Sequence, residues 1–280
     1  MRFTRKEKRL AWAVSILLGV MIIGFAAFLW PGHEVHPDFD NFFVIGVMIA
    51  IFPPAFLDML DRRWRESINR NIVYLIRNVA EAQRTGMTFV RSIEESAKAD
   101  YGPLSKELRR AVAQMSWGAT YEEALRRMAQ RVDTPIVYRV VEALIEVGRS
   151  GGRISALLDM LSTHIRDLQD LKRERSRQML PYVGIIYASF FVYVFVVIIL
   201  FQTVFVQLAE AFATAGFMAV RGLDVKAYYV WFFHMSIIEA AISGLVAGKM
   251  GEGAVSAGLK HILVLLAATL LVFNFVIRVF

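Results

Sequence analysis

The chain has no cysteine among its 280 residues. A disulfide framework, a thiolate nucleophile and any Cys-ligated metal are therefore excluded, and several enzyme classes go with them. No Gly-x-x-x-x-Gly-Lys-Ser/Thr run is present to hold nucleotide phosphates. There is no nucleophile elbow, no His-Glu-x-x-His run and no pair of aspartates inside an apolar stretch. Alternation with period two is absent, so no sheet is expected. No basic and aromatic stripe offers stacking for bases, and the arginines are interleaved with nearly as many acids, which argues against nucleic-acid binding. We therefore expect no catalytic residue, no cofactor and no bound metal.

What is plentiful is apolar sequence and, in one place, charge. Hydrophobic residues make up 56% of the chain, and the mean hydropathy of +0.47 belongs to the membrane class. The stretch from Asp61 to Gln178 holds 22 of the 32 Lys and Arg and 16 of the 25 Asp and Glu. The flanks hold the other 10 Lys and Arg and 9 Asp and Glu, and between these charges lie long apolar runs. The organisation this predicts is an N-terminal tail with two membrane helices over 1–60, a charged helical domain over 61–178, and three more membrane helices over 179–280.

Leu10 to Leu29 is uncharged and long enough, at about 1.5 Å per residue, to cross a hydrocarbon core of about 30 Å. Its length, and the lack of a small-residue cleavage site after it, favour an uncleaved first span over a signal peptide. Asn41 to Leu57 is the second apolar run, and Pro53 and Pro54 should end or kink its helix. Pro181 to Leu208, Tyr228 to Ala247 and Leu259 to Ile277 follow as third, fourth and fifth. Lys and Arg are concentrated in the first nine residues and in the charged block, whereas Pro31 to Asp40 has none, so the N-terminus and the block should be cytoplasmic. The loop Ala209 to Ala227 and the C-terminus should then lie outside, and the Gly-rich turn Gly248 to Gly258 inside, in a multi-pass cell (inner, cytoplasmic) membrane protein.

Within the block, apolar residues recur at helical spacing in six stripes. Ile68 to Val79, Phe89 to Ala97, Leu104 to Met115, Tyr121 to Val132, Val137 to Leu144 and Ile154 to Leu168 carry them. Thr120 with Glu123 makes a capping box, while Thr134-Pro135 and Gly102-Pro103 read as helix starts. The fold class expected is all-α: a polytopic membrane protein with about five spans and one cytoplasmic six-helix bundle. Gly86-Met87-Thr88-Phe89-Val90-Arg91-Ser92-Ile93 returns 32 residues later as Gly118-Ala119-Thr120-Tyr121-Glu122-Glu123-Ala124-Leu125. Each copy reads as a corner in which glycine ends one helix in a left-handed cap and threonine starts the next. A weaker third echo starts at Gly151-Gly152, and any tight helical hairpin can also use this pattern.

These corners resemble the type II secretion system F domain, with the spacing from Gly86 through Gly118-x-Thr120-x-x-Glu123-Ala124-Leu125 to Glu146-Val147-Gly148-Arg149-Ser150-Gly151-Gly152. The resemblance covers roughly Ile68 to Ile165. It implies a platform protein of type II secretion systems, type IV pili and archaella that is not an enzyme. Such a platform receives motion from a hexameric cytoplasmic ATPase and helps extract pilin subunits from the membrane into a filament. Bacterial platforms of this family carry two such domains. A single one, with two spans before and three after, looks more like tight-adherence or archaeal pilus subunits and implies a homodimer or a paralogous platform partner.

The remaining candidates have competing readings. Arg109, Arg110, Arg126, Arg127 and Arg131 form either a solvated face laced by Glu122 and Glu123 at i,i+4 or a docking surface for an acidic ATPase face. Glu239 in the fourth span, with His234, Ser236 and Ser243 near it in sequence, is either packed inside the helices, a proton relay, or a contact for a pilin's charged N-terminal region. A secondary transporter or channel built on Glu239 is the alternative function, although no inverted repeat supports it. His33 and His36 could hold a metal only weakly. The turn Gly148 to Arg153 lacks the lysine of a phosphate loop, and Pro181 marks where a stiff helix from Leu168 through Arg177 would change direction as it enters the membrane lipid.

Overall fold

In the computed structural model, residues 5–29, 37–150, 154–205, 207 and 225–277 are described. The order is α1 (Arg5–Leu29), α2 (Pro37–Arg84), α3 (Phe89–Ser96), α4 (Pro103–Ser116), α5 (Tyr121–Val132), α6 (Pro135–Ser150) and α7 (Ile154–Ile199), which passes into a π-helix over Leu200–Phe205. After it come α8 (Val225–Glu252), a 3₁₀ turn (Val255–Ala257), α9 (Gly258–Leu271) and a second π-helix, Val272–Val276. No strand occurs among the described residues. Among the described residues five helices are long and apolar enough to cross a membrane: Lys6–Leu29, Phe39–Arg84, Ala156–Phe205, Ala227–Glu252 and Val255–Val276.

Of the two outcomes expected at Pro53-Pro54, an end or a kink, the end does not occur: α2 runs through both as one helix. Each proline forfeits only its own N–H donor, and in an apolar stretch the alternative to a helix leaves many more backbone groups unbonded.

The described residues fall into two compact units, Leu60–Arg175 on one side of the division and those of Phe3–Met59 and Ser176–Phe280 on the other. In the first, a single apolar cluster draws Ile68, Ile72, Ile76 and Val79 from α2, Phe89 and Ile93 from α3, Leu104 and Leu108 from α4, Leu125 and Met128 from α5, Val140 and Leu144 from α6, and Leu158 and Ile165 from α7. Each full burial of a Leu or Ile is worth about 1.5–3 kcal/mol. Polar clasps from α2 fix the connections: Asn71 Nδ2 donates to the Tyr101 carbonyl at 2.8 Å, Asn78 Nδ2 to Tyr101 Oη at 2.6 Å, and Thr134 Oγ1 to Asn69 Oδ1 at 3.0 Å. Burial pushes the Tyr101 phenol above its ordinary value.

In the second unit, backbones approach closely at particular glycines. A Cβ on Gly19 would lie 2.7 Å from the Gly46 carbonyl oxygen, which brings α1 against α2. In the α8–α9 hairpin a Cβ on Gly248 would lie 2.0 Å from Gly258 N. The turn itself is short: α8 continues to Glu252, and only Gly253, at φ +74°, takes a left-handed conformation there. Further along, Phe201, Phe205, Tyr229, Phe233 and Phe273 pack edge-to-face or stacked, with ring centroids 5.0–6.4 Å apart. Asn41 and Asn274 exchange amide hydrogen bonds at 2.8 and 2.9 Å.

Candidate functional site

The two glycine-threonine corners are the same device built twice. After α2, Gly86 N donates to the Gln83 carbonyl at 3.1 Å and Met87 N to the Ala82 carbonyl at 3.4 Å. After α4, Gly118 N donates to Met115 at 3.0 Å and Ala119 N to Gln114 at 3.0 Å. This is the Schellman pairing, and it needs a left-handed residue at the glycine. Gly86 has φ +85° and Gly118 φ +95°. Thr88 Oγ1 then accepts from Arg91 N at 3.4 Å and Thr120 Oγ1 from Glu123 N at 3.2 Å, capping α3 and α5. The expected capping box is only half made. The Glu123 carboxylate turns to Arg127, one turn on, rather than back to the Thr120 backbone N–H.

The aromatic residue after each threonine joins the copies. Phe89 and Tyr121 meet edge-to-face, with centroids 5.4 Å apart and planes at 75°. A Cβ on Gly148 of α6 would lie 2.8 Å from two Phe89 ring carbons and 3.0 Å from Tyr121 Oη. Gly148 is thus the floor on which both corners rest. Its place in the sequence pattern was evident, but the need for its missing side chain appears only once the repeat is folded back on itself. Gly151 and Gly152, expected to form a third corner, lie outside the described residues, as do His33, His36 and residues 209–224 of the expected loop Ala209 to Ala227, whose last three residues open α8.

The five candidate arginines divide. On α5, Arg126 binds Glu142 of α6 through two bonds of 3.1 and 3.2 Å, Arg127 pairs with Glu123, and Arg131 Nε reaches Glu107 of α4 at 2.6 Å. Glu122 pairs not with Arg126 at i,i+4 but with Arg149 of α6. The donated hydrogen bonds hold the Glu122 and Glu142 carboxyls below their ordinary range. On α4, Arg110 reaches Glu107 only at 3.7 Å, and Arg109 has no ion pair among the described residues.

Glu239 is half-buried on α8 and accepts a hydrogen bond from Ser243 Oγ at 2.9 Å. Ser243 is the one member of the suspected relay brought to Glu239 among the described residues, and His234 and Ser236 bond elsewhere. His234 lies 3.3 Å from Asp40 of α2, and Ser236 donates to its own helix at the Phe232 carbonyl. Five residues of helix turn His234 about 140° from Glu239. His261, which has no partner evident in sequence, meets Tyr187 Oη at 2.8 Å. Pro181 sits inside the unbroken α7. No group of three His, Asp or Glu side chains that could hold a metal occurs among the described residues.

Residues 75–202 match the family model of type II secretion system (T2SS), protein F. Over these residues the chain is similar to the F domain of type II secretion systems. The match begins in the last turns of α2, takes in both corners and Gly148, and continues along α7 into the apolar stretch that follows, beyond the end expected from the corners alone. An uncharacterized protein of Methanocaldococcus jannaschii is 29% identical to this chain over 241 residues, which are 85% of the chain and 38% of that protein. The chain spans about two fifths of that relative's length. No solved structure matches.

Proposed function

We propose that this chain is the membrane platform of a type IV filament (pilus or archaellum) or type II secretion-like machine, coupling a cytoplasmic ATPase to the extraction of pilin subunits and their assembly. The observation that carries this reading is the F-family match itself, which runs from the glycine corners along α7 into an apolar helix. The function is mechanical rather than enzymatic. The cluster Leu60–Arg175 serves as a six-helix bundle on the cytoplasmic side, where the basic residues of the block place it, and five spans put the C-terminus outside. Partners are the hexameric secretion ATPase, pilins, membrane lipid, and a second copy or a paralogous platform subunit.

In this reading α7 is the transmission element. It takes Leu158 and Ile165 from the apolar cluster and continues through Lys172, Arg173, Arg175, Arg177 and Pro181 without a break. Inserting three glycines after Arg173 should leave ATPase binding by the full chain in lipid nanodiscs unchanged and abolish filament assembly in cells. Unimpaired assembly by that variant would remove the mechanical path. Glu239 is assigned to a pilin's charged N-terminal region, and normal assembly by Glu239→Gln would withdraw that assignment.

A further inference from the structure

We propose that the exposed face of α4 is the docking surface for an acidic protein partner, with Trp117 as its anchor; this rests on the platform reading above, in which that partner is the secretion ATPase. Lys106, Arg109, Arg110, Ala113, Ser116 and Trp117 are all exposed. Their spacing of three, one, three, three and one places them on a single stripe of the helix about 16 Å long. Glu107, the one acid of α4, turns away from the stripe and is held by Arg131 of α5. Neither Lys106 nor Arg109 has an ion-pair partner among the described residues, and Arg110 keeps only its 3.7 Å approach to Glu107.

Trp117 caps the end of the stripe with 91% of its surface exposed. The Schellman bonds of Gly118 and Ala119 fix the backbone beneath it. An indole standing free beside Arg109, which has no ion pair among the described residues, and Arg110, held only at 3.7 Å by Glu107, is the composition of an interface hot spot, since Trp and Arg bury large area or form paired hydrogen bonds at low cost. The arginines of α5 offer no such surface, because Arg126, Arg127 and Arg131 already serve Glu142, Glu123 and Glu107. Charge complementarity therefore asks for carboxylates opposite Lys106, Arg109 and Arg110, around an apolar recess for the indole.

The test uses the full chain in lipid nanodiscs and the secretion ATPase of its own genome. Wild type should bind, and the affinity should fall as salt is raised. Trp117→Ala should weaken binding about 30-fold with the salt dependence kept, as for a hot-spot residue. The triple variant Lys106→Glu, Arg109→Glu, Arg110→Glu should lose both affinity and salt dependence, and Trp117→Phe should recover most of the loss. Since the chain has no cysteine, Ala113→Cys gives a single thiol on the stripe, and the ATPase should protect it from maleimide.

If wild type binds but these variants bind equally well, the docking face is wrong and the platform reading stands. If wild type does not bind at all, both fall. Protection of the Ala113→Cys thiol without ATPase, in nanodiscs but not in detergent, would assign the face to the bilayer. Protection that rises with the chain's own concentration would assign it to a second copy. Either overturns the proposal.

Discussion

If Gly118 is present for its backbone angle, its replacement has a cost that can be worked out in advance. At φ +95° an L-residue pays about 1–2 kcal/mol for the left-handed conformation. Alanine recovers about 0.4–1 kcal/mol by restricting the unfolded chain. A Cβ there meets nothing within 4 Å, so no steric contribution is added. The net loss for Gly118→Ala is about 1 kcal/mol, or about fivefold in the equilibrium for opening. Gly118→Asn should cost less, because asparagine tolerates the left-handed region. Gly86→Ala, at φ +85° and equally unobstructed, should repeat the result.

A buried reporter makes this measurable in the intact protein. Ser162 is buried in the first unit, so Ser162→Cys supplies one thiol whose reaction with a slow-excess reagent reports opening of that unit. The rate should rise about fivefold with Gly118→Ala. Gly148→Ala provides the contrast. There the Cβ would be 2.8 Å from the Phe89 ring, overpacking of this kind costs about 1–3 kcal/mol, and shortening the ring by Phe89→Leu should relieve part of it. If Phe89→Leu rescues Gly118→Ala equally, or if Gly118→Ala leaves the rate unchanged, the corner is not held by its backbone angle and the reasoning fails.

Three further predictions use the same reporter or simple expression. Thr120→Ala removes the oxygen that accepts from Glu123 N and should destabilise by about 0.5–2 kcal/mol, while Thr120→Ser should be close to wild type. Arg149 holds the Glu122 carboxyl below its ordinary 4.5, so the stability this pair adds is fully present above 4.5 and is lost as the pH falls through the lower folded value. Opening rates measured on acidification should climb less steeply in Arg149→Gln than in wild type, and an unchanged slope would discard the pair as the cause. Gly248→Leu puts a side chain where a Cβ already lies 2.0 Å from the Gly258 backbone; the α8–α9 hairpin should fail to close, seen as proteolysis at the turn, whereas Leu245→Ala on the exposed side should be silent.

Most helix boundaries were legible because short-range chemistry sets them. Gly-x-Thr at 86–88 and 118–120, Thr134-Pro135 and Gly102-Pro103 all fall at the ends of helices, since caps depend on bonds within four residues of the end. At Pro53-Pro54 the helix does not end, for the opposite reason. The local penalty is real, but a 48-residue helix with apolar surroundings keeps its remaining bonds regardless. The same limit explains the arginines. Spacing of four correctly pairs Glu123 with Arg127, yet Glu122 and Arg126 have that spacing too and instead pair across to Arg149 and Glu142 of α6. Which partner wins depends on how α5 and α6 lie together, and no interval along one helix contains that.

The internal repeat sharpens the point, because its two copies are alike in their bonds and unlike in what they present. Both use the same Schellman pairing and the same threonine cap. At the position just before the glycine, however, the first copy has Thr85, whose hydroxyl folds back onto the Ala82 carbonyl at 2.8 Å, and the second has Trp117, held out to solvent. A hydroxyl that bonds its own helix end is a local solution to an unsatisfied carbonyl. An indole at the equivalent place solves nothing locally and leaves a large apolar surface in water, a cost that folding alone gives no reason to bear. The difference between the copies, rather than their likeness, therefore locates the surface on which a partner would act.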